Sequence, residues 1–139
     1  MHDFSKYSPV EFWAGVKYWD GGKHSPIVNE KEHTGYSLGW LHHKGRNRHH
    51  WDFWTDTWDG QIVPLEMPKK YVKEMACDRV GACKIYQGKN YTDSSPLNYH
   101  INSAESKIMN PKTAALLNKY LTWIKDYGLE EGLKKIKAD

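Results

Sequence analysis

Four histidines fall within nine residues, as His42-His43 and His49-His50, with Lys44, Arg46 and Arg48 between the pairs. Neutral imidazole is a ligand for divalent metals. Histidine is a middling helix former, and packing does not need such a cluster. Adjacent helical residues lie about 100° apart, so one member of each pair is expected to face a metal. The other would orient it, donate to phosphate or reach a second metal. The alternative is a solvated basic loop with incidental histidines. The second signal is His2-Asp3, neighbours that can offer an imidazole nitrogen and a carboxylate oxygen to one cation. Lys6 follows three residues later and supplies the kind of charge that neutralises phosphate oxygens. The third is Asp78, a carboxylate interrupting an otherwise apolar helical stretch. A carboxylate there needs a cationic partner, either a metal or a side chain such as Arg79 or Lys6. Beside a histidine cluster that lacks its own carboxylate, the metal is favoured.

The elements that must position these residues are mostly helical in pattern. Ser8-Pro9-Val10-Glu11 predicts a helix start, with Ser8 as N-cap, Pro9 in the first turn and Glu11 closing a capping box. Phe12, Val16 and Trp19 form its expected apolar face, and Gly21-Gly22 its stop. Asn29 is expected to cap a second helix running to about Lys44, with Tyr36, Trp40 and Leu41 inward. The stretch from Arg46 to Trp58 fits neither the helical nor the strand period, and its aromatics are expected in the core. Asp59-Gly60 predicts a turn. Pro68 opens a strong helix in which Tyr71, Val72, Met75, Ala76, Val80 and Cys83 follow helical spacing to about Tyr86. A polar loop follows, then a helix from Pro96 to Ile108, another from Asn110-Pro111 to Gly128, and a short one carrying Leu129, Leu133 and Ile136. The expected class is all-α, with residues 1–139 as a single domain and little or no sheet. His24 and His100 are expected to be ordinary surface or loop histidines, and His33 lies on the second expected helix, where service to a second metal is the less favoured reading.

Composition narrows the class. A chain of 139 residues with seven Trp and nine Tyr has the material for a real core. No apolar run approaches the roughly 18 residues of a membrane span, and the N-terminus lacks the apolar stretch of a signal peptide. The expectation is a soluble, cytoplasmic protein. Cys77 and Cys83 stand six apart in one helical segment, which argues against a disulfide. A formal charge of +3 tolerates an anionic ligand without demanding nucleic acid.

The order His-Asp, paired histidines, then a lone Asp on a later helix resembles the HD-domain superfamily of metal-dependent phosphohydrolases. His2-Asp3-Phe4-Ser5-Lys6 is similar to that superfamily's His-Asp-x-x-Lys form. Residues 2–12, 35–54 and 67–86 also resemble a family of small, uncharacterised HD-like proteins from bacteria and phages. In that family the histidine pairs and the Glu-Met-x-x-Asp segment, here Glu74 to Asp78, recur in this order. The resemblance implies a helical bundle around one or two divalent ions (Mn, Mg, Zn, Ni, Co or Fe). It implies His2, Asp3, His42, His43, His49, His50 and Asp78 as metal ligands and Asp3 and Lys6 as catalytic groups. Lys6, Lys44, Arg46 and Arg48 would bind the phosphate of a nucleotide or similar small ester. Superfamily members usually carry a further histidine on a helix upstream of the His-Asp pair. Here either that helix belongs to a longer product or His33, His49 or His50 takes its place. The rival readings are a dinuclear iron oxygenase on the same fold and a catalytically inactive phage protein that binds a nucleotide or a host partner. A homo-oligomer is left open.

Overall fold

Serine caps set the starts of the first three helices in the computed structural model, which describes residues 3–139. Ser8 caps α1 (Pro9–Lys17), its hydroxyl accepting the Glu11 amide at 3.4 Å. Ser25 caps α2 (Pro26–Thr34), accepting the Ile27 amide at 3.3 Å. Ser37 caps α3 (Leu38–Lys44), accepting the Trp40 amide at 3.0 Å. Proline stands in the first turn of α1 and of α2, where its missing N–H costs nothing.

One helix was expected from Asn29 to Lys44, and two are found. Gly35 follows α2 at φ 83°, the left-handed position that terminates helices and suits glycine. Ser37 then restarts the chain as a new cap. Glu30 secures the corner by accepting the Ser37 hydroxyl at 2.5 Å and the Leu38 amide at 3.2 Å.

By contacts the chain divides into two compact units, one ending at Arg48 and the other running from His49 to Asp139. In the first unit α1 packs against α2 and α3. Its expected apolar face is not buried: Phe12, Val16 and Trp19 are each more than half exposed, and Tyr36 and Leu41 are exposed as well. Among the described residues the side chains that are buried there are polar: Asp3, Asn29, Glu30, Ser37 and His43.

The second unit is built the other way. Val72, Met75, Ala76 and Val80 of α4 (Lys69–Gln87) pack with Leu117, Tyr120, Leu121 and Ile124 of α7 (Pro111–Tyr127) and Ile136 of α8 (Leu129–Ala138). The stretch that fitted neither period becomes a 3-10 turn, Trp51–Phe53, and strand β1 (Thr55–Trp58). β1 pairs antiparallel with β2 (Gln61–Pro64), Thr55 opposite Pro64, around the Asp59-Gly60 turn. Trp51 and Trp54 lie against the core as expected, but Trp58 is exposed on the hairpin. The helix expected from Pro96 to Ile108 is two, α5 (Ser95–Asn102) and α6 (Glu105–Ile108), separated where Ser103 turns extended at ψ 146°. Cys77 and Cys83 are both free thiols. The fold is mostly helical with one small two-stranded sheet. Among the described residues no helix is long and apolar enough to cross a membrane.

Candidate functional site

α3 carries the first histidine pair, and α1 lies alongside it. Glu11 of α1 points both carboxylate oxygens at that pair. Oε1 is 2.6 Å from His42 Nδ1 and Oε2 is 2.8 Å from His43 Nδ1. The Glu11 side chain is only 7% exposed. Burial pushes its carboxyl upward, but hydrogen bonds from His42, Ser5 and His43 outweigh that and hold it below the ordinary glutamate value.

His43 is buried and held from several sides. Ser5 Oγ is 3.3 Å from its Nδ1, and Asn47 donates its amide to Ser5 Oγ and to the His43 carbonyl, each at 2.8 Å. The Trp40 ring stacks on the imidazole with centroids 5.9 Å apart. The other nitrogen, Nε2, stands 3.6 Å from Asp3 Oδ1.

Asp3 is itself buried, at 9% exposure, and adopts left-handed backbone at φ 61°. Aspartate tolerates that region better than most residues, and such conformations concentrate at functional sites. Lys6 closes on its second oxygen, Nζ to Oδ2 at 2.5 Å, through the 3-10 turn Phe4–Tyr7. His2 lies outside the described residues. Lys44 ends α3 half-buried, while Arg46 and Arg48 are exposed beyond it.

The His49–Asp139 unit carries the remaining candidates. His49 is 2% exposed, and its ring lies 4.2 Å from that of the half-buried His50, tilted by 43°. Asp78 sits half-buried on α4, and its carboxylate and the His49 ring offer ligand atoms within 4.8 Å of each other. Arg79, one of the side chains considered as a partner for Asp78, pairs with Glu105 and stacks over the Tyr99 ring.

A family model matches residues 1–123, and its description is Family of unknown function (DUF5662). The chain belongs to this family. The match takes in every candidate residue from His2 to Asp78 and ends within α7. No curated protein and no solved structure matches the chain.

Within this family member, the side chain that sequence reasoning missed is Glu11. It reads as the closing residue of a capping box, and half of that motif forms, since Ser8 does accept the Glu11 amide. The returning half does not: the carboxylate goes to the histidines, and the Ser8 amide bonds Ser5 carbonyl instead at 2.8 Å. No local signal could have shown this, because His42 is 31 residues away. Ser5 and Asn47 were missed for the same reason.

The other histidines divide. His24 bonds Asp20 at 2.8 Å on the surface, and His33 donates Nδ1–H to the Asn29 carbonyl at 2.7 Å, both ordinary roles. His100 was expected on the surface but is 3% exposed on α5. Its place beside α7 buries the ring. Burial and the nearby Arg79 charge hold its pKa below the usual value, against the opposing pull of the Ala114 backbone and Glu105.

Proposed function

We propose that this chain is a metal-dependent phosphohydrolase or phosphodiesterase acting on a nucleotide or similar small phosphate ester, on an HD-like helical fold. The observation that carries the reading is His43 Nε2 facing Asp3 Oδ1 in a buried setting while Nδ1 is held by a carboxylate. Metal-ligating histidines characteristically donate their second ring nitrogen to such a partner. Imidazole nitrogen with carboxylate oxygen suits a borderline divalent ion, so the residues present fit one. Asp3 and His43 would hold it, with His2 and His42 as additional candidates; His49, His50 and Asp78 are the candidate ligands that the His49–Asp139 unit carries. The ion would supply an acidified water and a Lewis acid for the phosphoryl group.

The chain's own cations would then bind the ester. Lys6 already sits on a carboxylate that would share the ion, so its ammonium is held where phosphate oxygens would arrive. Lys44, Arg46 and Arg48 follow the first histidine pair and are the further candidates for those oxygens.

The test is direct. Purified chain is loaded with Mn, Fe, Zn, Co, Ni or Mg, analysed for metal, and screened against nucleotides and generic phosphoesters. Asp3→Ala and Asp78→Ala are each expected to lose the ion and to lower thermal stability, since binding to the folded state adds to folding free energy. Lys6→Ala is expected to keep the ion and to lose tenfold or more in phosphate affinity or turnover, about 1.4 kcal/mol. A wild-type chain that binds none of these ions overturns the proposal.

A further inference from the structure

Two adjacent histidines on one helix share one carboxylate from another. A helix splays neighbouring side chains by about 100°, so it does not bring two consecutive imidazoles to a single acceptor unaided. Here both rings turn their Nδ1 atoms to the two oxygens of Glu11, at 2.6 and 2.8 Å. A carboxylate only accepts hydrogen bonds, so each Nδ1 carries a hydrogen, and a ring held this way can bind a cation only through Nε2.

The sequence offered Glu11 a cheaper partner. Closing the capping box on the Ser8 amide would need no tertiary contact at all. The side chain forgoes that bond and is buried between α1 and α3, where losing either histidine would remove one of the donors that satisfy its carboxylate. Both oxygens are engaged, so Glu11 acts through the histidines and does not serve as a ligand itself.

We propose that Glu11 is a positioning residue that holds His42 and His43 as matched Nδ1–H tautomers, so that His43 presents Nε2, on the Asp3 side, to a divalent cation. This rests on the metal reading above. It also revises the expectation that one histidine of the pair orients the other: the orienting group comes from α1 and holds both rings.

The experiment uses the full chain, metal-free, with long-range nitrogen–proton NMR correlations on the histidine rings and a Zn titration in parallel. In wild type, His42 and His43 are expected as Nδ1–H tautomers. In Glu11→Ala both rings are expected to lose that preference and Zn affinity to fall 10–100-fold. Glu11→Gln keeps the shape with one accepting oxygen, so one ring should retain its tautomer and affinity should recover in part. Circular dichroism establishes that each variant is folded, and the isosteric Gln variant carries the test if the Ala variant is not. Wild-type rings protonated on Nε2, or tautomers unchanged in both variants, overturn the positioning role. Correct wild-type tautomers with no Zn bound overturn the metal reading and the ligand role together, a result distinguishable from the first by its intact ring signals.

Discussion

The two units of this chain differ in the side chains they bury. Up to Arg48 the buried side chains are Asp3, Asn29, Glu30, Ser37 and His43, while Phe12, Trp13, Val16 and Trp19 stand exposed. From His49 onward the interior is mainly apolar, with Leu117, Tyr120, Leu121 and Ile124 fully buried, although His49, Ser95, His100 and Thr113 are buried there too. Apolar burial is non-directional and tolerates many arrangements, whereas a buried hydrogen-bond network is favourable only in the geometry that satisfies every member. The second unit is therefore organised by area and the first by specific partners. A region that must hold Glu11, His42, His43 and Asp3 in fixed relation is better served by the second kind of interior.

The comparison can be broken by substitution. The largest effect is expected in the apolar interior. Leu121→Ala should cost about 2–5 kcal/mol by urea denaturation, through lost transfer energy and a residual cavity. Gly132→Ala should act there too, because a β-carbon would stand 2.7 Å from Ile124 Cα and 2.9 Å from its nitrogen. That clash is with backbone, so α7 and α8 must separate, and about 1–3 kcal/mol is expected. A Leu121→Ala variant within error of wild type would contradict the apolar account of this unit.

In the first unit the sensitive position is polar. Glu30→Ala strands the buried Ser37 hydroxyl and the Leu38 amide, and should cost about 1–3 kcal/mol in the same assay. Glu30→Gln, which keeps an acceptor, should cost less. Equal losses in the two variants would mean that Glu30 matters for its bulk and not for its hydrogen bonds.

Acid separates the units by window. Burial holds the His100 pKa below the ordinary value in the folded state, while the unfolded chain takes up a proton near 6.5. Its contribution is therefore intact above that value and falls as pH drops below it. Glu11 is lowered from 4.5, so its contribution is present above 4.5 and is lost only as pH falls further, through its folded value. Denaturation midpoints between pH 7 and 5 should decline in wild type and flatten in His100→Gln. An unchanged slope in that variant would remove His100 from the account.

The smallest effect is expected at the exposed aromatics. Trp13 is 63% exposed, and Trp13→Ala should stay within about 0.5 kcal/mol of wild type. A loss comparable to that of Leu121→Ala would show that the contrast between the units is false.

Much of the scaffold was legible because its signals are local. Ser8-Pro9 and Asn110-Pro111 start helices where capping chemistry says they should, whereas the second helix begins at the cap Ser25 and not at Asn29, which lies inside it. The periodic apolar residues of α4 and α7 became the core. Where the reading missed, a neighbour-scale signal had been outweighed or misjudged. Gly35 and Ser37 divided an expected helix, and Phe12, Val16 and Trp19 matched a helical stripe that the structure leaves exposed. The histidine pairs, Asp3 and Asp78 stood out by residue type alone, because imidazoles and carboxylates in such positions cost stability unless something uses them.

The sequence by itself determined where most helices begin, which residues of the second unit are apolar enough to bury, and which side chains could be ligands. These follow from bonds and spacings a few residues long. Only the tertiary structure decided what Glu11 does. Its amide belongs to α1's cap, three residues from Ser8, while its carboxylate belongs to histidines 31 and 32 residues away. A capping motif constrains the backbone and leaves the side chain free. Where that side chain goes depends on which helix packs alongside, and no periodicity along one segment encodes it.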